Sequence, residues 1–519
     1  MELNWLDILT FLAFIVFVVG LGIFKGRKED TSEDYFLAGR GLNWYLIGFT
    51  LIAANISTEQ FVGMSGSAAG AAGLAIASYE WLSSITLVFV AIYFVPRFLS
   101  AGIYTIPEYL EYRYNSAARI IMAVFTMCVY IAVTTPAVVY SGGITIETIF
   151  RGSRVFGMEM TLQRSVWLIG IVAAIYVTIG GLKACAWADL IQGAGLILGG
   201  AMVMFFGFKA IGGAKPFFEA NQDKLHMILP AGHPVLPWPV LIFGLWIPCF
   251  YYWGLNQYIS QKTLASKTLK QGQLGIIFAA ALKLLIPFIV ILPGIMALQL
   301  YHDDVSARND AAYPLLIRNL VPIGLRGFIF AAIAGAVMST LAAMLNSAST
   351  IFTMDIYKRY INKNASQKLL VWIGRFTTML FVIIACIIAP PLANPKFKGI
   401  FNFIQEFQGY ISPGILAVFV FGFIFPRAIP SACITGLIIS SPVYGILQWK
   451  FGGIAFLNRM AITFAAVILV MALITAVKPL SRPKIMPHNE QFDVKTSGII
   501  YILGAAVIAA TLTLYIIFW

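Results

Sequence analysis

The sequence predicts an all-α protein that crosses a membrane many times. Its 519 residues are 60% hydrophobic and only 11% charged, and the mean hydropathy is +0.86. A soluble protein would carry roughly 25% charged residues. Apolar segments of about 20 residues, the length that crosses the hydrocarbon core of a bilayer, also recur along the whole chain. Residues 1–519 are therefore predicted to form one polytopic transmembrane domain.

About fourteen segments are long and apolar enough to span the bilayer. The first follows no basic region and precedes no small-residue cleavage site, so we expect a retained helix and not a signal peptide. No segment resembles a separate soluble domain. The predicted spans are 5–24, 42–65, 75–99, 118–147, 166–181, 184–208, 237–260, 273–299, 321–353, 369–390, 399–425, 428–448, 459–477 and 497–518.

The basic residues of the loops predict which side the termini occupy. An even number of spans places both termini on one side. One set of alternate loops, including Lys262, Lys267 and Lys270, holds about 20 basic residues against about 13 in the other, and basic loops favour the cytoplasm. We therefore expect periplasmic or extracellular termini. No outside loop carries an Asn-x-Ser/Thr sequon, which fits a bacterial inner membrane.

The charge, the cysteines and the histidines exclude several classes of function. Basic cytoplasmic loops explain the formal charge of +13, so no nucleic-acid partner is expected. The five cysteines lie mostly in apolar stretches and form no metal-binding spacing, which is typical of small buried side chains. The four histidines lie in connecting segments. The sequence therefore predicts no cofactor, metal centre or haem.

Polar residues interrupt the second predicted span. The run Ala53–Gln60 places Glu59 and Gln60 in an apolar region rich in glycine and alanine. A carboxylate in hydrocarbon persists only when it faces a cavity, a partner or an ion. Polar residues mixed with glycine also indicate a helix that is broken where it lines a cavity. Close helix packing would explain only the small residues Ala53 and Ser57.

A second polar cluster opens the third predicted span. Glu80 lies between Tyr79 and Trp81, and Ser83 follows one turn later. A carboxylate that accepts hydroxyl hydrogen bonds beside an apolar ring face is the combination that recognises a sugar. The alternative is an aromatic belt at the membrane interface with an acid that reaches toward water. The pattern favours the sugar site.

The seventh and eighth predicted spans add aromatic and basic groups. The run Tyr251–Gln257 combines two tyrosines, a tryptophan and a glycine with two amides. It indicates either an aromatic belt or a helix break at a polar cavity. Lys283 lies inside the eighth span and must pair with a carboxylate or line water, and Glu80 is a candidate partner. A structural salt bridge and a substrate ligand both remain open for this lysine.

Further polar groups lie at membrane depth in later spans. Ser339 and Thr340 either bond back to their own helix or coordinate a hard cation together with backbone carbonyls. Gln405 and Glu406 lie in the eleventh span. Asp189, in the sixth span, is predicted to be an unpaired acid near the membrane interior.

No nucleophile–base pair, phosphate loop or metal-ligand spacing accompanies these groups, so the chain is not expected to be an enzyme. The polar set suits hydrogen bonds to a neutral polyol and contacts with an alkali cation. A signalling protein that senses a ligand is the other class to consider, and it would need a domain that the sequence does not predict.

These clusters, in this order, make the chain resemble the sodium/solute symporter family, and within it the sodium/glucose and sodium/galactose cotransporters. The likeness runs essentially from end to end and is greatest to bacterial sodium/galactose symporters. The matching segments are Thr31–Arg40, Leu51–Ser67, Gly73–Trp81, Gly102–Glu108, Tyr251–Tyr258, Met344–Ser347, Asp355–Lys358 and Ser412–Phe419.

The resemblance implies a LeuT-type fold, which is a 5+5 inverted repeat. One extra helix (5–24) precedes the first repeat (42–208) and the second repeat (237–425), and three extra helices (428–519) follow. The implied sugar site is Gln60, Glu80, Ser83, Lys283 and Gln405. Tyr252 is implied as the inner gate that stacks on the sugar ring, and the implied outer gate is Met64, Tyr79 and Phe401.

The resemblance also implies a sodium site and alternating access. The implied ligands are the carbonyls of Ala53, Ile56 and Ala336 and the hydroxyls of Ser339 and Thr340. Sodium binding stabilises the outward-open state, sugar binding closes the outer gate, and rocking then opens the inner side. The expected function is sodium-coupled import of a hexose of the glucose or galactose type.

Two departures from the family pattern qualify this expectation. Cys249 stands where the galactose symporter has an asparagine, and a thiol is a poor hydrogen-bond partner, so contact with one sugar hydroxyl is lost or moved to water. Family members that bind a further sodium have an acid like Asp189 but more hydroxyls one turn beyond the first pair, where this chain has Ala342 and Ala343. We therefore expect one sodium per sugar, with Asp189 as a possible coupling acid.

Three alternatives to a sodium–hexose symporter remain at this stage. A sodium symporter for another small polar solute, such as myo-inositol, would use the same sites. A symporter for a carboxylate should place an arginine within a span, and the arginines here lie in or close to loops. A proton-coupled carrier could use Glu59, Glu80 or Asp189, and transport driven by pH without sodium would reveal it.

Overall fold

The computed structural model describes residues 4–26, 31–150, 154–155, 158–307, 309–393, 400–489 and 495–519. The described chain is almost entirely helical, so the predicted all-α class is confirmed. One small antiparallel hairpin, β1 (Arg154–Val155) with β2 (Met158–Glu159), lies between two long helices.

The first half of the chain contains the predicted N-terminal helix and the first predicted repeat. Its helices are α1 (Trp5–Gly26), α2 (Ser32–Leu37), α3 (Trp44–Asn55), α4 (Ser65–Ala69), α5 (Ser78–Phe89), α6 (Val95–Ala101), α7 (Ile106–Arg113), α8 (Ser116–Val129), α9 (Thr135–Ile149), α10 (Leu162–Ile211) and α11 (Ala214–Ala220).

The second half contains the second predicted repeat and the C-terminal helices. Its helices are α12 (Trp246–Phe250), α13 (Gln257–Leu264), α14 (Leu269–Ile286), α15 (Leu292–Leu300), α16 (His302–Ala307), α17 (Ala312–Leu320), α18 (Leu325–Ile351), α19 (Gln367–Ile388), α20 (Ile400–Gly409), α21 (Ser412–Ile424), α22 (Pro430–Lys450), α23 (Phe456–Val477) and α24 (Gly498–Ile517).

Within the described residues, 12 helices are long and apolar enough to cross a membrane. Two shorter apolar helices, Trp44–Asn55 and Val240–Leu255, lie where the spans 42–65 and 237–260 were predicted. The count of fourteen full-length spans is therefore not confirmed. The predicted spans 166–181 and 184–208 lie in the single element α10, which is bent at Gly181, where φ is +49°.

The two short apolar helices are interrupted by extended residues. Helix α3 ends at Asn55, Ile56 is extended (φ −84°, ψ 107°), and the chain resumes as a π-helical segment at Glu59–Met64. In the second case a π-helical segment at Tyr251–Leu255 meets the extended Asn256 (φ −77°, ψ 120°), and α13 follows. Broken backbone at membrane depth is tolerated only where it is buried in protein or lines a cavity. Both interruptions lie at such a cavity.

Several other α-helices widen into a short π-helical segment near a proline. The π-helical segments Val90–Phe94, Tyr130–Thr134 and Pro287–Ile291 each end shortly before one. Proline has no N–H to donate, and its ring collides with the carbonyl one turn earlier, so a local widening of the helix relieves the clash. The prolines are Pro96, Pro136 and Pro293.

Helices α1, α10 and α18 pack together and form the support for the polar residues of α18. Asp7 of α1 is buried, and its carboxylate accepts hydrogen bonds from the N–H groups of Gly324 (2.7 Å) and Gly327 (3.2 Å) at the start of α18. A Cβ at Gly327 would lie 2.0 Å from the Asp7 carbonyl oxygen, so only glycine permits this approach. The N-terminal helix therefore caps α18 and fixes its position.

Candidate functional site

A cavity lies where the two interrupted helices meet. It holds about 830 Å³ of space that opens to solvent. Cavities of this size accept small organic molecules. Its described lining comes from the two interruptions, α5, α14, α18 and α20, and comprises Ala54, Asn55, Ser57, Gln60, Met64, Tyr79, Glu80, Ser83, Thr134, Pro248, Cys249, Tyr252, Trp253, Asn256, Tyr258, Lys283, Thr340, Met344, Ile404, Gln405 and Gln408.

A buried ion pair lies in the wall of this cavity. The Lys283 Nζ lies 2.5 Å from Glu80 Oε2 and donates a 2.8 Å hydrogen bond to Asn55 Oδ1. It also lies 4.5 Å from the ring centroid of Trp253, within cation–π distance. The pairing of Glu80 with Lys283 that the sequence suggested is present. Each charge neutralises the other, and the ammonium bridges α5 to the first interruption.

The second interruption brings aromatic and amide groups to the same wall. The Asn55 amide donates a 3.2 Å hydrogen bond to the Tyr252 hydroxyl, which joins the two interruptions. The Tyr130 hydroxyl donates to Asn256 Oδ1 at the extended residue, and it accepts from the Tyr258 N–H at 3.2 Å. The aromatic belt that was the alternative for Tyr251–Gln257 is therefore not required, because these groups face the protein interior.

The other predicted sugar-site and gate residues meet at the cavity where they are described. Gln60 folds back on its own segment, and its Oε1 accepts from the Ser57 N–H at 2.9 Å. Met64 and Tyr79 line the same space. The side chains of Glu59 and Phe401 lie outside the described part of the structure.

Two further lining residues, Gln405 and Ser83, differ in their hydrogen bonds. Gln405 Oε1 is buried and has no partner among the described residues. The Ser83 hydroxyl donates to the Tyr79 carbonyl at 2.6 Å and lies 3.4 Å from Cys249 Sγ. Cys249, the residue that departs from the family pattern, is thus in the cavity wall, next to Ser83.

The predicted sodium ligands lie where the end of α3 meets α18, next to the cavity, which Thr340 lines. Ala53, Ile56, Ala336 and Ser339 are fully buried. The Thr340 hydroxyl donates a 3.0 Å hydrogen bond to the carbonyl oxygen of Ala54, at the open end of α3. Neither adjacent hydroxyl bonds back to its own helix in the described contacts, since Ser339 donates instead to Asp189 Oδ1 at 2.6 Å. Carbonyl and hydroxyl oxygens are the ligands a hard cation prefers.

The prediction of an unpaired Asp189 is wrong. Its Oδ2 lies 2.9 Å from Lys262 Nζ and accepts from the Thr50 hydroxyl, and its Oδ1 accepts from Ser339. Lys262 donates further to the Thr50 carbonyl at 2.7 Å. Lys262 was assigned to a cytoplasmic loop, but it lies in α13 and is fully buried. A short polar helix looks like a loop in the sequence, which is why the lysine was misplaced.

Sequence reasoning missed several residues that the structure brings to these sites. Asn55 and Trp253 complete the surroundings of Lys283. Both lie in runs of polar or aromatic residues, but neither was predicted to have a role in the site. Gln192 is fully buried one turn after Asp189, and neither polar atom of its amide has a partner among the described residues. No group of three or more His, Cys, Asp or Glu side chains that could hold a metal ion occurs in the described ranges.

Comparison with protein families and curated proteins gives consistent matches. A profile described as the sodium:solute symporter family matches residues 35–440. The chain is 40% identical to a sodium/glucose cotransporter of Vibrio parahaemolyticus, over 100% of this chain and 99% of the relative. It is 36% identical to the uncharacterized symporter YidK of Escherichia coli, over 99% of this chain and 91% of the relative. It is 32% identical to the rabbit (Oryctolagus cuniculus) sodium/myo-inositol cotransporter 2, over 83% of this chain and 68% of the relative.

Two solved structures share the arrangement of helices. A substrate-bound, outward-open sodium-coupled sialic acid symporter superposes with a TM-score of 0.82 at 20% identity, over 93% of this chain and 99% of that one. Mhp1, a nucleobase-cation-symport-1 family transporter in a closed conformation, gives 0.54 at 12% identity, over 91% and 97%. At these identities the likeness concerns the fold alone, and the fold is the LeuT type.

Proposed function

Because the chain belongs to the sodium:solute symporter family, it is a sodium-coupled solute symporter and not an enzyme, and we propose that its substrate is a neutral polyol, in the first place a hexose. The observation that carries the proposal is the charge balance of the cavity. Glu80 and Lys283 are the only ionisable acid and base among its described lining residues, and they pair with each other. A carboxylate substrate would need an unpaired cation there.

The lining supplies what a polyol needs. An amide side chain can donate and accept hydrogen bonds at the same time. A carboxylate adds a strong acceptor and an ammonium adds a strong donor for hydroxyls on neighbouring carbons. We propose Gln60, Glu80, Ser83, Lys283 and Gln405 as the hydroxyl-binding groups. The Tyr252 ring supplies the apolar face that packs on a sugar ring and serves as the inner gate. Met64, Tyr79 and Phe401 form the outer gate in the same proposal.

The sodium ion is proposed to bind between α3 and α18. Its ligands are the carbonyls of Ala53, Ile56 and Ala336 and the hydroxyls of Ser339 and Thr340. The hydrogen bond from Thr340 to the Ala54 carbonyl supports the close approach that such a site requires. Asp189 holds the Ser339 hydroxyl in place and, because Lys262 neutralises it, does not itself carry the coupled charge. Ala342 and Ala343 offer no side-chain hydroxyl, which supports one sodium per sugar.

The proposed transport cycle uses the joined interruptions as its coupling element. Sodium holds α3 against α18, and α3 ends at Asn55, which contacts both Lys283 and Tyr252. A bound ion therefore orders the groups that receive the sugar, and each ligand raises the affinity for the other. The proposal keeps the two repeats at 42–208 and 237–425, with the helix 5–24 before them and the helices 428–519 after them. It also keeps a bacterial inner membrane with periplasmic or extracellular termini.

Myo-inositol is the second candidate substrate. Sodium/myo-inositol cotransporters are among the relatives, at 31–32% identity. Inositol is also a neutral ring of hydroxyls, so the same charge balance admits it. The two candidates differ at the ring edge, where an inositol has no ring oxygen and no hydroxymethyl group.

The test is uptake of labelled glucose, galactose and myo-inositol into proteoliposomes, under a sodium gradient and, separately, under potassium or pH gradients. We expect concentrative uptake with sodium alone, and its loss in Gln60→Ala. Uptake driven by pH without sodium would reassign the coupling ion. Accumulation of myo-inositol but of neither hexose would replace the first candidate with the second. Accumulation of none of the three would refute the polyol proposal.

A further inference from the structure

The inner half of α18 and the helical segment Phe352–Ile361 that continues it carry buried polar side chains that the proposed sites do not use. Asn346 and Thr353 are fully buried. Neither polar atom of the Asn346 side chain, nor the Thr353 hydroxyl, has a hydrogen-bond partner among the described residues. Leaving such groups unpaired costs about 1–3 kcal/mol each. Their presence therefore points to a polar ligand that enters this part of the protein.

These residues are in line with the proposed sodium site. Ser339, Asn346 and Thr353 follow one another at intervals of seven residues, which is two helical turns, or about 10 Å per interval. The helix continues without a break from Ile351 into the segment Phe352–Ile361. All three side chains therefore emerge from nearly the same face of α18. Between the first two, Ala342 and Ala343 are buried but small, so no bulky side chain separates Ser339 from Asn346 on this face.

A group of charges lies near the inner end of the same helix. Because Asp355 follows Thr353 by only two residues, its side chain leaves the helix on the other side, and the group acts on the line through its charge and not as a ligand. Asp355 is fully buried, and one carboxylate oxygen pairs with Arg119 (2.5 Å) and accepts from the Thr105 hydroxyl (2.8 Å). Its other oxygen, Oδ2, has no partner among the described residues. Arg119 also contacts Glu111, which pairs with Arg359. Together with Glu108, 3.8 Å from Arg119, the group has three carboxylates and two guanidiniums, an excess of negative charge that attracts a cation.

Asp189 is a weaker stopping point for a leaving cation. Its oxygens already accept from Lys262, Thr50 and Ser339. A sodium ion could bind there only by displacing the Lys262 ammonium, whereas the amide oxygen of Asn346 and the hydroxyl of Thr353 are available without displacing anything described. Apart from the Gln192 amide oxygen beside Asp189, the oxygens available in this region thus lie along α18 and the helical segment that follows it, toward the inner end that the loop charges predict.

We propose that the line Ser339–Asn346–Thr353 is the route by which sodium, with part of its water shell, leaves toward the inner side and its charged group. Gln261 of α13 covers this face in the present structure. It accepts from Ser347 (2.7 Å) and donates to Thr350 (2.9 Å) and to the Phe36 carbonyl (2.6 Å). Because α13 is the second half of an interrupted helix, its displacement on inward opening would uncover Asn346. The proposal rests on the proposed sodium-coupled polyol transport.

Two transport assays in proteoliposomes separate release from binding. Net uptake driven by a sodium gradient requires sodium to leave on the inside in every cycle. Counterflow of labelled sugar against unlabelled sugar, with saturating sodium on both sides, does not require sodium to leave. The substitution Asn346→Leu is nearly isosteric. We expect it to lower net sugar uptake about five- to tenfold, because the loss of one buried polar contact has an effect of this size. The sugar used is the one that the wild type accumulates. Counterflow should stay unchanged.

Two further variants keep the test decisive. Thr353→Val should give a smaller change in the same direction, and it decides the matter if Asn346→Leu does not fold. Ser349→Ala is the matched control, since the Ser349 hydroxyl is equally buried but bonds to the Asn346 carbonyl within its own helix. A proportional fall in both assays would show a structural defect and overturn the route. So would unchanged net uptake in both Asn346→Leu and Thr353→Val.

A readout without sugar separates this proposal from the previous one. In Asn346→Cys, labelling by a small cationic thiol reagent, followed by mass spectrometry of the peptide, should be faster in potassium than in sodium, because sodium favours the outward-facing state. Ser349→Cys should remain unlabelled. If wild-type vesicles accumulate no polyol, the proposed function fails, yet this labelling difference still decides the route. Equal labelling of Asn346→Cys in both salts would overturn it.

Discussion

Two lysine–carboxylate pairs lie buried in this protein, and their surroundings differ. Glu80 and Lys283 line the cavity, and the ammonium has further contacts with Asn55 and Trp253. In the second pair, Lys262 and Asp189 are as deeply buried but lie away from the described cavity lining. Burial alone therefore does not distinguish a pair that can exchange partners with a substrate from one that holds helices together.

The contacts do distinguish the two pairs. In the described contacts Lys262 donates to Asp189 of α10 and to Thr50 of α3, and Asp189 also accepts from Ser339 of α18. The first pair faces space in which a hydroxyl could replace or join its contacts. We infer that the cavity pair contributes mainly to substrate affinity and the enclosed pair mainly to stability. Four substitutions test this difference, in order of decreasing expected effect.

Removing the charge of the enclosed pair should have the largest effect. Lys262→Met leaves the Asp189 carboxylate buried without its cation, and breaking a buried pair in this way costs about 3–5 kcal/mol. We expect a marked fall in the thermal unfolding midpoint of the detergent-purified protein. The double variant Lys262→Met, Asp189→Asn should recover most of the loss, because no charge is then left uncompensated. A single variant as stable as the wild type would contradict the inference.

The same kind of change in the cavity pair should act on the substrate instead. Glu80→Gln removes a charged acceptor, whose hydrogen bond is worth about 1.5–3 kcal/mol, so the KM for sugar should rise about ten- to a hundredfold. The unfolding midpoint should change little, because Lys283 keeps Asn55, Trp253 and access to cavity water. Paired measurement of KM and the unfolding midpoint checks this. Destabilisation as large as in Lys262→Met would remove the distinction between the two pairs.

A substitution between the two regions tests sodium binding. Ser339→Ala removes one proposed ligand, and we expect the sodium concentration for half-maximal uptake to rise about tenfold, as for the loss of one strong polar contact. At saturating sodium the KM for sugar should be unchanged. Ser349→Ala, ten residues along the same helix, is the control. An increase in the sugar KM alone would assign Ser339 to the cavity instead of the ion.

The smallest effect is expected at the edge of the cavity. Cys249→Asn places an amide beside Ser83, where the thiol is a poor partner, and should add one neutral hydrogen bond to a sugar hydroxyl. One such bond corresponds to about a three- to tenfold change in affinity. We expect the ratio of kcat/KM for galactose to that for glucose to rise. Cys249→Ser, with a shorter side chain, is the control, and an unchanged ratio in Cys249→Asn would place the discriminating hydroxyl elsewhere.

Much of the fold and part of the candidate site could be predicted because they depend on local sequence. Hydropathy over about 20 residues identifies a span wherever the span lies in the protein. The interruption near Asn55 was predicted because polar residues and glycines cannot continue a helix that faces lipid. The partner of Lys283 was predicted because few carboxylates lie inside spans, so that Glu80 was one of a small number of choices.

The prediction failed where an assignment depended on packing between distant segments. Lys262 lies in α13, an eight-residue helix with Ser260, Gln261 and Thr263, whose composition is that of a loop. Only the fold buries it against Asp189, 73 residues earlier in the chain. Hydropathy is averaged over residues that are neighbours in sequence. It therefore does not register an ion pair with a distant residue, which is what stabilises a polar helix in the interior.

By itself, the sequence determined that the chain spans a membrane, that polar residues interrupt the apolar segment near Asn55, and that Glu80, Lys283 and Asp189 lie within predicted spans. The tertiary structure decided which charges pair, which pair faces the cavity, and that α1 caps α18 through Asp7. The physical reason is that the two free energies depend on residues at different distances along the chain. The free energy of placing a helix in lipid is summed over its own residues, whereas the free energy of a buried charge depends on the groups that packing brings around it.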